Sequence, residues 1–397
     1  MLFLLAALAA TVAAQGLNQT CPVPLSQQRT NLTTIGLCSA DLDVIGPELQ
    51  AVHEYVRAPT GLAVDLDANL FFTYARNMEP QNRTLTKATG FNSEAPWPSA
   101  EWQNCAAGQN ASECFVNVQN VVLDAEGVFW VIDSGVPNGA AHPTPYGAKV
   151  ISFNYTTAEV IRTYIYPPEL YNVELYNVKL QLNDIKINNT LGYAFITEDS
   201  AYGSISTINL ETGATVRHIF NSSFTTPDPN FISMYNGDVI RNWSGTKSSV
   251  LNSGTNGIAL TGGNIYWGVK ASNHWYYAPQ EAFISNLTDA EIEAVIQNPG
   301  NFPSEQAGFT ADDRGRVYIC ASAVPGGSGM VPAANYNLKT FVRGGQLQAA
   351  DTMAILDGWL YFTTNQQGLA PGRQYKNIDK RRGPFRSYRV WIGRGPA

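Results

Sequence analysis

The chain has 397 residues, of which 14% are charged and 11% aromatic, with 34 Gly and 22 Pro. That mix suits a turn-rich β protein better than a helical one, and the length admits one large core or two domains. The net charge of -7 argues against a nucleic-acid partner.

The opening run MLFLLAALAATVAAQG is apolar and ends in small residues, with Val12, Ala13 and Ala14 fitting an A-x-A-like cleavage site. It predicts a signal peptide over residues 1–14 and a single domain over 15–397, because the run is too short to span a membrane. Nine N-x-[ST] sequons point the same way: Asn18, Asn31, Asn82, Asn110, Asn154, Asn188, Asn221, Asn242 and Asn286. The expected location is the secretory route, secreted or vesicular, with no membrane span in the mature chain. Five cysteines fit an oxidising compartment. Pairing Cys21 with Cys38 would tie down the N-terminus, and Cys105 with Cys114 would close a short loop. Cys320, in RVYICASA, is the odd one and reads as a buried, inert thiol.

Six segments repeat one pattern: Thr60–Arg76, Asn117–Gly135, Leu182–Ser200, Thr255–Ser272, Glu305–Ala323 and Ala350–Gln366. Each alternates apolar residues, turns on Asp, Gly or Asn, and continues with β-branched and aromatic residues, which is a hairpin. Recurrence at intervals of about 45 to 75 residues predicts an all-β fold, a six-bladed β-propeller with a short helical insertion. The helix is expected in SNLTDAEIEAVIQNPG, capped by Ser285 or Asn286 and stopped at Asn298-Pro299. FRSYRVWIGR is expected to add a closing strand, and the basic run Lys376–Arg389 reads as a solvated face.

Inner strands of a propeller begin at one face of the channel. Aligning the hairpins places Thr60, Gln119, Asn183, Asn256, Ala307 and Thr352 there, a ring without carboxylate or His. Such a ring offers neutral hydrogen bonds rather than metal ligands or titratable groups, so neither metal nor cofactor is expected. Loops trailing the second strands add Arg76, Asp133, Glu198, Asp199, Lys270, His274, Trp275, Tyr276, Asn365 and Gln366. ASNHWYYAPQ suggests an aromatic wall with one polar handle, or alternatively a covering for the side of a blade. APWPSAEWQNC is either a lid or a packed loop pinned by Cys105.

The segments PTGLAVDLDANLFF, NVQNVVLDAEGVFWVIDSG, NDIKINNTLGYAFITEDSAYGSISTINLETG, ALTGGNIYWG, LTDAEIEAVIQNPGNFPSEQAGFTADDRGRVYI and ILDGWLYFTTNQ resemble the major royal jelly/yellow protein family. The resemblance covers roughly residues 58 to 395 and implies a six-bladed propeller. In its signal peptide, sequon density and two-Trp loop the chain resembles secreted fungal members that perform hetero-Diels–Alder reactions in tropolonic sesquiterpenoid pathways. Gluconolactonase-type propellers, more distantly similar, hold a metal with a Glu, an Asn and an Asp. Here Asn183 matches the Asn, but Thr60 and Asn256 stand where acids would be, so this likeness implies neither metal nor lactonase chemistry.

Three functions follow. A metal-free hetero-Diels–Alderase would join an o-quinone methide to a terpene alkene, both hydrophobic small molecules. It would use Asn183, Asn256, Gln119 and Thr352 as catalytic hydrogen-bond donors and Thr60, Trp267, His274, Trp275, Tyr276 and Asn365 against the substrates. A dopachrome-type tautomerase would need a base, His274 or Asp199. A non-catalytic ligand binder of the amine-binding kind would use a channel carboxylate, Asp133 or Asp199. The first is favoured here.

Overall fold

The computed structural model describes residues 44–76, 82–106, 108–140, 142–171, 180–235, 238–302, 304–321, 327–332 and 338–397. The expected signal peptide, Asn18, Asn31, Cys21 and Cys38 lie outside them.

Each predicted hairpin forms the inner two strands of a separate antiparallel sheet. In blade one, Gly61–Val64 and Leu70–Thr73 are followed by Leu85–Gly90 and Ser93–Pro96. Blade two comprises Val118–Leu123, Val128–Asp133, Lys149–Asn154 and Val160–Ile165; blade three, Leu182–Asn188, Tyr193–Glu198, Ser204–Asn209 and Thr215–His218. Blade four has Thr255–Thr261, Asn264–Val269 and Trp275–Pro279. Blade five has Gln306–Ala311, Arg316–Ala321, Gly327–Pro332 and Lys339–Gly344. Blade six runs Ala350–Leu356, Trp359–Thr364 and Phe385–Trp391, and takes its outermost strand, Leu49–Tyr55, from the other end of the chain. The expected C-terminal strand is thus the third of its blade. Closure comes from pairing the two chain ends, which leaves no open seam in the ring.

The turns show why the hairpins fold locally. Blade two uses Gly127 at φ 80°, the left-handed region where a Cβ is costly. Blade one puts Ala68 there at φ 62° instead, and the Asp65 carboxylate secures the turn by accepting from Asp67 N, Asn69 N and Asn69 Nδ2.

The apolar core is divided between blades. Phe71, Trp97, Phe129 and Phe153 fill the space between blades one and two, and Phe195, Ile258, Trp267 and Phe283 that between blades three and four. The loop carrying Trp97 and Trp102 packs on Phe115 and Phe153 and is pinned by the Cys105–Cys114 disulfide, so it is a packed loop and not a lid. Cys320 is fully buried, and burial holds its thiol well above its usual pKa.

The predicted helix is two short ones, Gln280–Ile284 and Asp289–Glu293. The cap of the second is Thr288, not Ser285 or Asn286: its hydroxyl accepts from Glu291 N while the Glu291 carboxylate accepts from Thr288 N. Asn188 and Asn242 spend their amides on Gln280, Val250 and Arg373 and are half-buried, whereas Asn82, Asn110, Asn154, Asn221 and Asn286 are exposed.

Candidate functional site at the channel mouth

Five of the inner strands carry a register shift at their first residues. The residues Val118, Leu182, Thr255, Gln306 and Ala350 pair with Asp133, Glu198, Val269, Ala321 and Thr364, and the ladder then skips. A bulge of this kind sets extra residues against one partner and re-aims their side chains. The residues directly after the pairs are equivalent: Gln119, Asn183, Asn256, Ala307 and Asp351. The sixth blade was therefore misaligned by one in the sequence. Asp351, not Thr352, is the counterpart of Asn183.

The bulge also turns the next residue inward. Asn120, Asp184, Gly308 and Thr352 line the channel beside Thr60, Gln119, Asn183, Asn256 and Asp351. Gly257 and Gly308 are required here, since a Cβ would meet Ala307 O at 2.1 Å and Asp351 O at 2.4 Å. The cavity itself is small, about 50 Å³, and opens to solvent. A carboxylate-free ring is thus overturned, because Asp184, Asp199 and Asp351 all face this cavity.

Neutral donors are partly committed to the scaffold. Thr352 Oγ1 donates to Thr60 O at 2.8 Å, and Asn183 Nδ2 to Asn256 O at 3.3 Å. Asn120 Nδ2 donates to Asp184 Oδ1 at 2.6 Å, and Thr60 Oγ1 shares a hydrogen bond with Thr73 Oγ1.

The second tier comes from the residue after each second strand. Ser134, Asp199, Lys270 and Asn365 hold this place in blades two, three, four and six. Asp199 is buried, and Asn256 Nδ2 donates to its Oδ2 at 3.1 Å; its Oδ1 has no hydrogen-bond partner among the described residues. Burial pushes this carboxyl up to about 7, while Lys270 and the Asn256 hydrogen bond pull it down. Burial likewise raises Asp351, whose Oδ2 accepts from Asn365 Nδ2 at 2.8 Å. Lys270 is buried; Nζ donates to Gln367 Oε1 at 3.1 Å and stands 3.7 Å from Glu305 Oε1. Among the described residues no three His, Cys, Asp or Glu side chains form a metal cluster.

Other expected site residues lie elsewhere. Trp267 is fully buried with Nε1 donating to Phe224 O at 2.9 Å, and Trp275 and Tyr276 are core residues packed on Tyr266 and Trp267. There is no aromatic wall, because the segment is the third strand of blade four and its large residues turn into the blade interfaces. His274 is half-exposed beside Asp228, 3.7 Å away, and is not among the groups lining the cavity. Asp133 is spent on structure: it accepts from Val116 N, Asn117 N, Gly135 N and Lys149 Nζ, each at 2.8 Å. Glu198, its counterpart in blade three, accepts from Gln181 N, Ser200 N and Ser200 Oγ. Arg76 donates to the carbonyls of Phe115 and Gln103. Asp184, Asp351 and Gln367 were missed as lining residues; the recurring Asn-Asp, Asn-Gly, Ala-Gly and Asp-Thr pairs at strand starts are the signal of a two-residue bulge.

Similar folds occur among solved structures. A luciferin-regenerating enzyme is 13% identical with TM-score 0.53, the match covering 89% of this chain and 98% of that one. The calcium-binding protein regucalcin from Agrobacterium tumefaciens str. C58 is 10% identical with TM-score 0.52, over 89% and 96% of the two chains. At these identities the likeness is one of fold. No curated protein matches the sequence. The family model described as major royal jelly protein matches residues 116–367, from the inner hairpin of blade two through that of blade six. Since that span is well over half of the sequence, the chain belongs to the major royal jelly protein family.

Proposed function

We propose that the channel mouth is a proton-transfer site, acting as a tautomerase on a small polar substrate with an acidic C–H next to a carbonyl or quinonoid group. The observation that carries this reading is Asp199: a buried carboxylate lining the cavity, held on one oxygen by Asn256 and, among the described residues, unpartnered on the other. The Asp199 carboxylate takes the proton from carbon, the electron pair moves to the substrate oxygen, and the Lys270 ammonium stabilises the charge gathering there. Asp199 then returns the proton at a second position, so the reaction is an isomerisation with no net gain or loss. A base that titrates near neutrality suits this work.

The hetero-Diels–Alder reading from the sequence retains one support, the neutral side chains Gln119, Asn183, Asn256, Thr60 and Thr352 around the same cavity. It loses the apolar wall that would hold a terpenoid, and a buried carboxylate beside an ammonium is poorly suited to a hydrophobic pair of reactants. The chain's route through the secretory pathway is part of the proposal, supported by the Cys105–Cys114 disulfide.

The test is conversion of dopachrome, followed by loss of its visible absorbance, across pH 5 to 9. Enzyme-dependent conversion with an acid limb near pH 7 that is absent in Asp199→Asn is expected. Saturable binding of the substrate without conversion would sink the catalytic reading. Stereocontrolled capture of an o-quinone methide by an alkene, independent of pH and of Asp199, would restore the pericyclase.

A further inference from the structure

Beyond the polar ring, towards the opposite face, lies a second, open cavity of about 220 Å³. Side chains two apart on a strand share a face. The residues two after Asn120, Asp184, Gly308 and Thr352 are Val122, Lys186, Thr310 and Ala354, and all four line this lower cavity. Leu66 and Leu260 complete a wall to which every blade contributes. The wall is aliphatic except at a few places, and these differ in what they have left to offer.

Asp124 is saturated. Its Oδ1 accepts from Glu126 N and Val128 N, and its Oδ2 from Trp130 Nε1 and Asn189 Nδ2. Lys186 is not. Its Nζ has three donors, and among the described residues its carboxylate partner is Asp184 Oδ1, 3.4 Å away. Asp184 has closer donors on the same oxygen, Asn120 Nδ2 at 2.6 Å and Ile185 N at 2.8 Å. A cation with donors to spare on a largely aliphatic wall offers a place for an anion.

We propose that this funnel is a second binding site, for an amphipathic carboxylate. The apolar chain or ring system lies against Val122, Leu260 and Ala354, and the carboxylate pairs with Lys186 Nζ, which sits on the partition between the funnel and the polar mouth. Ammonium ligands are disfavoured by Lys186, and uncharged apolar molecules leave its donors without an added partner. The site is separate from the proton-transfer site and does not depend on it.

The test is fluorescence titration of the full chain with cis-parinaric acid and with its methyl ester. The acid is expected to saturate one site and to bind at least about 10-fold tighter than the ester, the scale of a charge-assisted hydrogen bond. Lys186→Met should remove that preference, and Lys186→Arg should keep it. Ala354→Trp, which plugs the funnel, should abolish binding of both probes, with folding checked by circular dichroism. Asp199→Asn should leave both affinities unchanged. Equal affinity for acid and ester in the unaltered chain, unchanged preference in Lys186→Met, or loss of binding in Asp199→Asn would each overturn the assignment. The Lys186 pair decides the matter even if Ala354→Trp fails to fold.

Discussion

Asn256 Nδ2 donates to Asp199 Oδ2 at 3.1 Å, joining the first residue of one blade's bulge to the loop that ends the preceding blade's second strand. This contact holds one oxygen of Asp199, and the other is buried with no hydrogen-bond partner among the described residues. It also favours the charged form, against a burial penalty that works the other way.

Replacing Asp199 with Asn should lower turnover by roughly 10²–10⁴-fold, the usual contribution of a positioned general base. In the unaltered protein the rate should rise through pH 7 and level off above it, because only the deprotonated carboxylate accepts the proton and burial holds its pKa at about 7. A flat profile between pH 5.5 and 8 would contradict the assignment.

Asn256→Ala should move that acid limb to higher pH. The lost hydrogen bond stabilised the carboxylate; at about 1.5–3 kcal/mol for a bond to a charged group, the displacement is about one to two pH units. A fall in rate that is the same at every pH would instead indicate that Asn256 acts as a donor to substrate.

Folding stability should report the same group. In the unfolded chain an aspartate titrates near 3.9, whereas the folded state keeps the Asp199 proton up to about 7. Between those values the folded state binds more protons, so this group makes stability fall as pH rises from about 4 to about 7. The melting temperature of Asp199→Asn should depend less on pH across that window and should exceed that of the unaltered protein at pH 8.

The ring closure carries the opposite sign. His53, on the strand that closes blade six, stands 3.1 Å from Glu94 in blade one, and Tyr74 and Thr86 also donate to Glu94. Burial raises the Glu94 carboxyl, but the three hydrogen bonds outweigh it and hold it below its ordinary value. Its stabilisation is present above about pH 4.5 and is lost as pH falls through the folded-state value. Glu94→Gln should cost about 1–3 kcal/mol in denaturant titrations at pH 7, and the difference should shrink on acidification.

Chelation should leave turnover unchanged. Lys270 places a positive charge among the cavity carboxylates and competes with a cation for them, even though Asp and Asn oxygens are by themselves ordinary Ca²⁺ ligands. A stoichiometric ion whose removal abolishes conversion would contradict this.

The number of blades was legible in the sequence because each inner hairpin is a local object. Alternation, a turn residue and a β-branched return strand lie within about twenty residues, and recurrence of such a unit has few other solutions. The positions Gln119, Asn183 and Asn256 were legible for the same reason, being offset equally from their turns. Local pattern failed where a bulge adds a residue: Asp351 and Asp184 reached the cavity only because the ladder skips, and nothing in hydrophobic alternation marks a skip. Trp267, Trp275 and Tyr276 look the same in sequence whether they face a ligand or a neighbouring blade, and the packing of blade against blade decided it. The charge state of Asp199 belongs wholly to the tertiary structure, since it depends on burial and on Lys270, Asn256, Arg373 and Asp351, which no single segment contains.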